Sequence, residues 1–356
     1  MKIAVISGTL PPFPCGVGKH TDFLARALVK DSQDVTVFTL NREDVGNNVS
    51  GYKVRKEIEH FGFSDYLSLA RKLKSEDFHL VHLEYPTKLN KRGVSIVVLP
   101  WLMKLFGLRT VLTLHELTGS SPFGKVRNIL LSLGFDRVIV TNLSDKKYLR
   151  VLPKKIRVVP IGPTLNATYP KVRRKSGLVA HLGFLDGSKG EDLLIESFSK
   201  LTGNYSLLFL TTYTETNPQH LMLSRKISQY HLNKQVRFLN PKSDQDIAGA
   251  LSSAEIAVLP FRGGVGARNS TLLEALTFGL PTIVTIGKDS PGYLKDGVNC
   301  LFTTEDVNSI RQSITKLHLD PKLREKISRG AKQLAKNFDW AAIARRTASV
   351  YREIVG

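Results

Sequence analysis

Cysteine is nearly missing from this chain of 356 residues: only Cys15 and Cys300 occur, far apart. Two such residues give neither a disulfide framework nor metal-ligand spacing, so a reducing cytoplasm is the expected compartment. No apolar run approaches the roughly 18 residues that span a bilayer. The opening MKIAVISGTLPP enters a strand-like segment without a signal-peptide cleavage pattern, so the chain is expected neither to span nor to cross a membrane. Zinc-finger, helix-turn-helix and RNA-recognition signatures are lacking and aromatics do not interleave with the charges, which argues against nucleic acid as a partner. Solenoid repeats and low-complexity tracts are also absent. Acid is scarce: 31 Asp and Glu face 51 Lys and Arg, a net charge of +20. The excess is spread, about +11 over residues 1–163 and about +9 over the rest, so no tail causes it. A basic surface of this kind favours an anionic partner, an acidic lipid surface first among them, with general solubility as the plain alternative.

What the chain does have is alternation. Buried-looking apolar runs at 3–7, 35–39, 80–83, 110–114, 137–140 and 157–160 are separated by amphipathic stretches such as 17–30 and 64–73. A second series of runs lies at 178–182, 206–211, 235–239, 256–259 and 282–285. Strand and helix periods alternating in this way predict two doubly wound, Rossmann-like α/β domains with parallel sheets. The expected boundaries are 1–163 for the first domain, 164–176 for a linker containing TYPKVRRK, and 177–337 for the second. A last helix over 338–356 carries Ile343, Thr347, Val350 and Tyr351 at helical spacing and is able to pack on either domain.

The segment GGVGARNSTLLEALTFGLPTIVT, residues 263–285, reads as a Gly-rich loop entering a helix and then a buried strand. Gly263, Gly264 and Gly266 permit close backbone approach, and Asn269 and Ser270 are good N-cap residues. The free amides of the first helical turn, backed by the helix dipole, favour an anion. Glu274, one turn further, suits the two hydroxyls of a ribose, so phosphate followed by sugar points to a nucleotide. An ordinary capped connection is the plain alternative.

Three other places bear on chemistry. In GTLPPFPCGVGKHTDFLARAL the loop after the first strand is neither a P-loop nor a dinucleotide fingerprint, because His20 follows Lys19 and the third glycine is missing. Gly16 and Val17 are read there as loop residues whose amides reach a phosphate or sugar. His115 and Glu116 follow the strand VLTL, at the carboxyl end where open α/β sheets bind ligands. Lys189, in a GSKG turn, is placed to offset diphosphate charge beside the Gly-rich loop. The basic runs KKYLRVLPKKIR and KVRRK are solvated faces or lipid contacts, and VSIVVLPWLMKLFGLR fits a core helix as well as an interfacial one.

Four segments together, PPFPCGVGKHTDFLARAL, TLHEL, LGFLDGSKGEDLLIESF and PFRGGVGARNSTLLEALTFGLPTIV, resemble the GT-B-fold retaining glycosyltransferases of family 4, also called glycosyl transferases group 1. The likeness covers nearly the whole chain, and FDWAAIARRTASVYRE is similar to the family's terminal helix, which returns to the first domain. It implies two Rossmann-like domains facing across a cleft, the first for the acceptor and the second for a nucleotide-sugar donor. Carried over, Lys189 binds the donor diphosphate, Ser270, Thr271 and Leu272 offer amides to it, with Arg268 and Asn269 beside them. Glu274 holds the ribose, Gly16 and Val17 line the cleft, and His115, the second catalytic candidate after Lys189, contacts the donor sugar. Glu84 and Glu116 are the acceptor candidates.

The sequence departs from the family at three points. Gly266 stands eight before Glu274 where the first of two glutamates is usual, Phe184 follows Gly183 where arginine is usual, and Cys15 replaces a glycine. Losing the arginine leaves phosphate charge to Lys189, shared with Arg262 or Arg268. The resemblance implies hexosyl transfer from a nucleoside diphosphate sugar to a glycan or lipid-linked acceptor, with no metal and no cofactor. The enzyme would lie on the inner face of the plasma membrane, in polysaccharide or glycolipid assembly. Transfer to a soluble or nucleic-acid acceptor, or a non-catalytic nucleotide-binding scaffold, are the alternatives.

Overall fold

The computed structural model describes residues 1–46, 49–90, 94–117, 120–150, 152–165 and 172–356. The chain divides into two units, Met1–Thr164 together with Asp339–Gly356, and Leu165–Phe338.

In the first unit the strands run in the order β3 (Lys53–Ile58), β2 (Asp34–Leu40), β1 (Lys2–Ser7), β4 (Leu80–Tyr85), β5 (Arg109–Leu114), β6 (Arg137–Val140) and β7 (Ile156–Val158), every pair parallel. Strands such as IAVIS and LVHLEY are buried on both faces and therefore need helices on both. These are α1 (Gly16–Lys30), α2 (Phe63–Ser75), α3 (Leu99–Leu105), α4 (Pro122–Gly134) and α5 (Leu143–Tyr148). On one face, Tyr66, Leu69, Met103 and Leu131 pack over Ala4, Ile6, Val81 and Leu83. The other face, with Ile3, Val5 and Leu80, receives Leu24 and Leu28 of α1.

The second unit has the order β10 (Val236–Leu239), β9 (Ser206–Leu210), β8 (Leu178–Leu182), β11 (Ile256–Leu259), β12 (Thr282–Thr285) and β13 (Leu301–Thr303), again parallel. Its helices are α6 (Glu191–Ser199), α7 (Pro218–Gln229), α8 (Asp244–Ser253), α9 (Ser270–Thr277), α10 (Val307–Leu319) and α11 (Pro321–Ala335). Leu194, Phe198, Leu223, Ile227, Ile310 and Ile314 pack on Val179, Leu207 and Phe209.

The last helix, α12 (Trp340–Val355), starts two residues later than its periodicity predicts, because Asp339 caps it by accepting from the Ala341 amide at 3.2 Å. It packs on the first unit. Ile343, Ala344, Ala348, Val350 and Tyr351 join the α1 face of the core. Burial of the larger of these is worth about 2 kcal/mol each, which decides the choice left open by the sequence.

Of the expected linker 164–176, residues 166–171 lie outside the described residues. The remainder is tied down. Arg174, read from the sequence as part of a solvated or lipid-facing run, donates to the carbonyls of Ala254 (3.2 Å), Phe278 (3.3 Å) and Gly279 (2.8 Å). Those carbonyls close α8 and α9, so the guanidinium neutralises the negative ends of two helices.

Candidate functional site

The Gly-rich loop of the second unit is built as a rigid rim. Gly263 and Gly264 have φ of 72° and 89°, the left-handed region, and a Cβ on Gly264 would lie 2.2 Å from the Gly287 amide. The rim is braced by the Val265 amide donating to Thr285 O (2.9 Å), Thr285 Oγ1 to Phe261 O (2.6 Å) and Ser290 Oγ to Val265 O (2.7 Å). From it the chain enters α9 at Ser270. Asn269 occupies the N-cap position, but its Oδ1 accepts from the Gly266 amide at 2.5 Å and makes no bond to the helix. The side-chain cap expected of Asn269 is thus absent. Its carbonyl instead accepts from Leu272 N (3.1 Å) and Leu273 N (3.4 Å). This corrects the place given to Leu272: its amide is engaged. Ser270 and Thr271 keep amides with no partner among the described residues, on a first turn that contains no acid. The arrangement is an anion site by construction. Glu274 lies one turn on, buried on the same short helix. Arg268 is exposed in the loop before it.

Lys189 is brought to the same place. The Arg262 amide donates to Ser188 O at 2.9 Å, and a Cβ on Gly190 would meet Pro260 O at 2.1 Å, so the two loops press together. The Lys189 ammonium lies 4.7 Å from the centre of the Phe261 ring and has no carboxylate partner among the described residues. Arg262, expected to share the phosphate load, is committed elsewhere. It grips Asp192 with two bonds of 2.9 and 2.8 Å and reaches Glu305 at 3.3 Å. Glu191, which sequence reasoning missed, follows Gly190 with its carboxyl wholly buried and neither oxygen hydrogen-bonded among the described residues. Burial pushes its pKa up.

His115 belongs to the first unit, in a buried polar cluster on the α1 and α12 side of the sheet. Period two along β4 puts Leu80, His82 and Glu84 on one face. Register sets Glu84 beside Ser7 on β1 and Thr113 on β5. The His115 amide donates to Tyr85 O at 2.8 Å, and its Nε2 lies 2.5 Å from Glu84 Oε2. His82 Nε2 is 2.7 Å from Thr113 Oγ1 and 3.3 Å from Glu84 Oε1, and its Nδ1 is 2.6 Å from the Tyr351 hydroxyl. The His20 ring sits between those of His115 (4.7 Å) and Trp340 (5.1 Å). Glu84, one of the two acceptor candidates, is fully buried and serves to hold His115. Glu116 stays half-buried.

Gly16 and Val17, read as loop residues although the helical stretch was placed from 17, prove to be the first residues of α1. A Cβ on Gly16 would touch nothing, whereas one on Gly18 would lie 2.8 Å from Thr9 O. Burial opposes charge on the Cys15 thiol at this helix start, but the Thr9 hydroxyl and the backbone of Gly18, Lys88 and Val17 outweigh it and lower the pKa.

Ligand atoms of His20, Glu84 and His115 lie within 4.8 Å of one another. The 2.5 Å between His115 and Glu84 is a hydrogen bond; two ligands on one zinc would stand about 3.3 Å apart. Burial pushes His20 down to about 3 and lowers His82, so both are neutral near pH 7. Burial also opposes charge on Glu84, yet the three surrounding histidines keep its pKa below the usual carboxylate range. Both histidines accept protons near pH 6.5 when unfolded but not when folded. Stability they supply is therefore present above that value and is lost as pH falls from there toward the folded pKa. The melting temperature is expected to fall as pH drops from about 6.5 to 5, with His20 removing about 1.4 kcal/mol of stability per pH unit and His82 adding to the loss. A flat profile would mean that the cluster takes up protons freely.

The sequence matches the family described as Glycosyltransferase Family 4 over residues 14–165 and Glycosyl transferases group 1 over residues 170–334. Among curated relatives, the MMP alpha-(1->4)-mannosyltransferase of Mycolicibacterium hassiacum is 24% identical over 212 residues, 58% of this chain; the chain spans about half of that protein's length, 50%. The phosphatidyl-myo-inositol mannosyltransferase of Mycobacterium leprae is 22% identical, with 99% of this chain and 97% of that one covered. Among solved structures, Anabaena HepE in complex with UDP superposes with a TM-score of 0.78 at 15% identity, over 99% of this chain and 100% of that one.

Proposed function

We propose that this chain, which belongs to the family 4 and group 1 glycosyltransferases of GT-B fold, moves a hexose from a nucleoside diphosphate to a glycan or lipid-linked acceptor, with retention of configuration. Mannose, glucose and N-acetylhexosamine are the sugars in view, and assembly of cell-surface polysaccharide or glycolipid at the inner membrane face is the setting. The observation that carries the reading is the start of α9, where the Ser270 and Thr271 amides have no partner among the described residues and Glu274 follows one turn later. That is the spacing of a phosphate and a ribose. Relatives named for mannosyl transfer, and a structural neighbour holding UDP, support the substrate class.

Negative charge grows on the diphosphate as the glycosidic bond breaks. Preorganised amides and the Lys189 ammonium stabilise that charge most in the transition state, which supplies the role that a metal ion plays in other transferases. The acceptor hydroxyl attacks from the side the diphosphate leaves, and a diphosphate oxygen takes its proton. His115, fixed by Glu84, is assigned to the donor sugar.

Thermal melting with UDP, GDP and ADP, each with and without EDTA, tests the proposal. One base should raise the melting temperature by about 5 °C at a hundredfold excess over its dissociation constant, unchanged by EDTA. No response to any nucleotide would defeat the reading, and a response abolished by EDTA would remove its metal-free part. Hydrolysis of the donor sugar without acceptor then separates an enzyme from a nucleotide-binding relative, a distinction that Gly266 makes worth drawing.

A further inference from the structure

Helix α4 is inside out. Its buried face carries Gly124, Arg127, Asn128, Leu131 and Ser132, while Phe123, Val126, Leu130 and Leu133 are 67%, 57%, 47% and 41% exposed. These four fall at i, i+3, i+7 and i+10, a single stripe along the helix. Most of the inward polar groups have partners. Asn128 donates to Glu116 O at 3.1 Å, Ser132 to Asn128 O at 2.7 Å, and the Arg127 guanidinium lies 5.4 Å from the Tyr85 ring centre. Hydrogen bonding thus fixes the apolar stripe outward.

The neighbouring turn and helix repeat the pattern. Val94, Val98, Trp101 and Leu105, at i, i+4, i+7 and i+11, are 58%, 41%, 55% and 79% exposed. A Cβ on Gly134 would lie 2.5 Å from Pro100 and 3.1 Å from Trp101 Nε1, so the end of α4 abuts α3 and the stripes adjoin. Lys125 Nζ lies 5.6 Å from the Tyr148 ring, which links α4 to α5. Neither 94–109 nor 121–134 contains an acid, and α5 and its flank add the exposed Lys146, Lys147 and Arg150. Asp136, beside this surface, is paired with Lys104 at 2.9 Å.

A contiguous apolar surface with a basic rim calls for a partner that is apolar within and anionic outside. A second copy of this chain would set lysine against lysine. We infer that the α3–α4 face, flanked by α5, is where the first unit lies on a bilayer rich in anionic lipid, with Trp101, Leu105 and Phe123 entering the acyl boundary and the lysines meeting headgroup phosphates. The inference rests on the reading of a lipid-linked acceptor and adds the side of the protein that meets the membrane.

Flotation with phosphatidylcholine vesicles, with and without phosphatidylglycerol, tests it. The wild-type protein should float only with the anionic vesicles, and its Trp101 emission should shift to the blue, a shift missing from Trp101→Phe. The double variant Leu105→Asp, Phe123→Asp should lose about tenfold or more in the bound fraction. Both positions are exposed, so its melting temperature, its nucleotide response and its donor-sugar hydrolysis should match the wild type. Wild-type protein that ignores anionic vesicles, or a double variant that binds them equally well, overturns the inference. So does a variant that changes only the oligomeric state on gel filtration. In each case an intact nucleotide response and hydrolysis leave the transferase reading standing, and their loss from the wild type would remove it.

Discussion

Glu274→Ala is expected to weaken nucleotide binding thirty- to hundredfold while the protein still folds. The carboxylate lies on α9 four residues beyond Ser270, about 6 Å along the axis from the amides that open the helix, which is the reach from a phosphate to a ribose. Hydrogen bonds to a charged acceptor are worth about 1.5 to 3 kcal/mol each, and water entering the truncated site recovers part of the two, so the net loss is about 2 to 3 kcal/mol of binding. Titration of the nucleoside diphosphate by calorimetry measures it directly. A 2′,3′-dideoxyribose analogue should bind wild type and mutant alike, because it lacks both hydroxyls that Glu274 holds. Unchanged affinity for the ribose form in the mutant would end the assignment.

Lys189→Ala should act on the rate. Its ammonium, unpaired among the described residues and braced over Phe261, faces charge that builds only as the diphosphate departs, so kcat should fall by about 100- to 1,000-fold with a smaller change in KM. Arg262→Ala is the contrast. That guanidinium is bound to Asp192 and Glu305, so its loss should lower the melting temperature and leave kcat nearly intact. Equal effects on kcat from the two substitutions would show that the phosphate load is shared after all.

Most strands read from the sequence, such as β1, β4, β8 and β11, are buried on both faces and so leave an unbroken apolar run, and the strands occur within a residue or two of their expected places. β3 escaped because KVRKEI, at the sheet edge, places the charged Arg55, Lys56 and Glu57 in a row between its two aliphatics, so neither an apolar run nor an alternation shows. β13, three residues long, is too short for any period to show. Lys189 and the Gly-rich loop were legible because turn chemistry is local. The cluster around Glu84 was not, since His20, His82, His115 and Tyr351 come from four separate elements and only register and helix docking unite them. The spacing H-x-E at 82–84 was the one available signal. Periodicity also reveals the two faces of α4 without saying which turns inward; Asn128 ties its face to the rest of the unit through its bond to Glu116 O.

The bond between Tyr351 and His82 also bears on the order in which the protein can be made. Residues 339–356 leave the ribosome only after all of 165–338, yet they complete the layer over β1 and β4. The second unit is therefore continuous and free to fold during synthesis, whereas the first must wait with part of its core uncovered until the last helix arrives. Removing residues 339–356 should accordingly destabilise the half of the protein that is furthest from them in sequence.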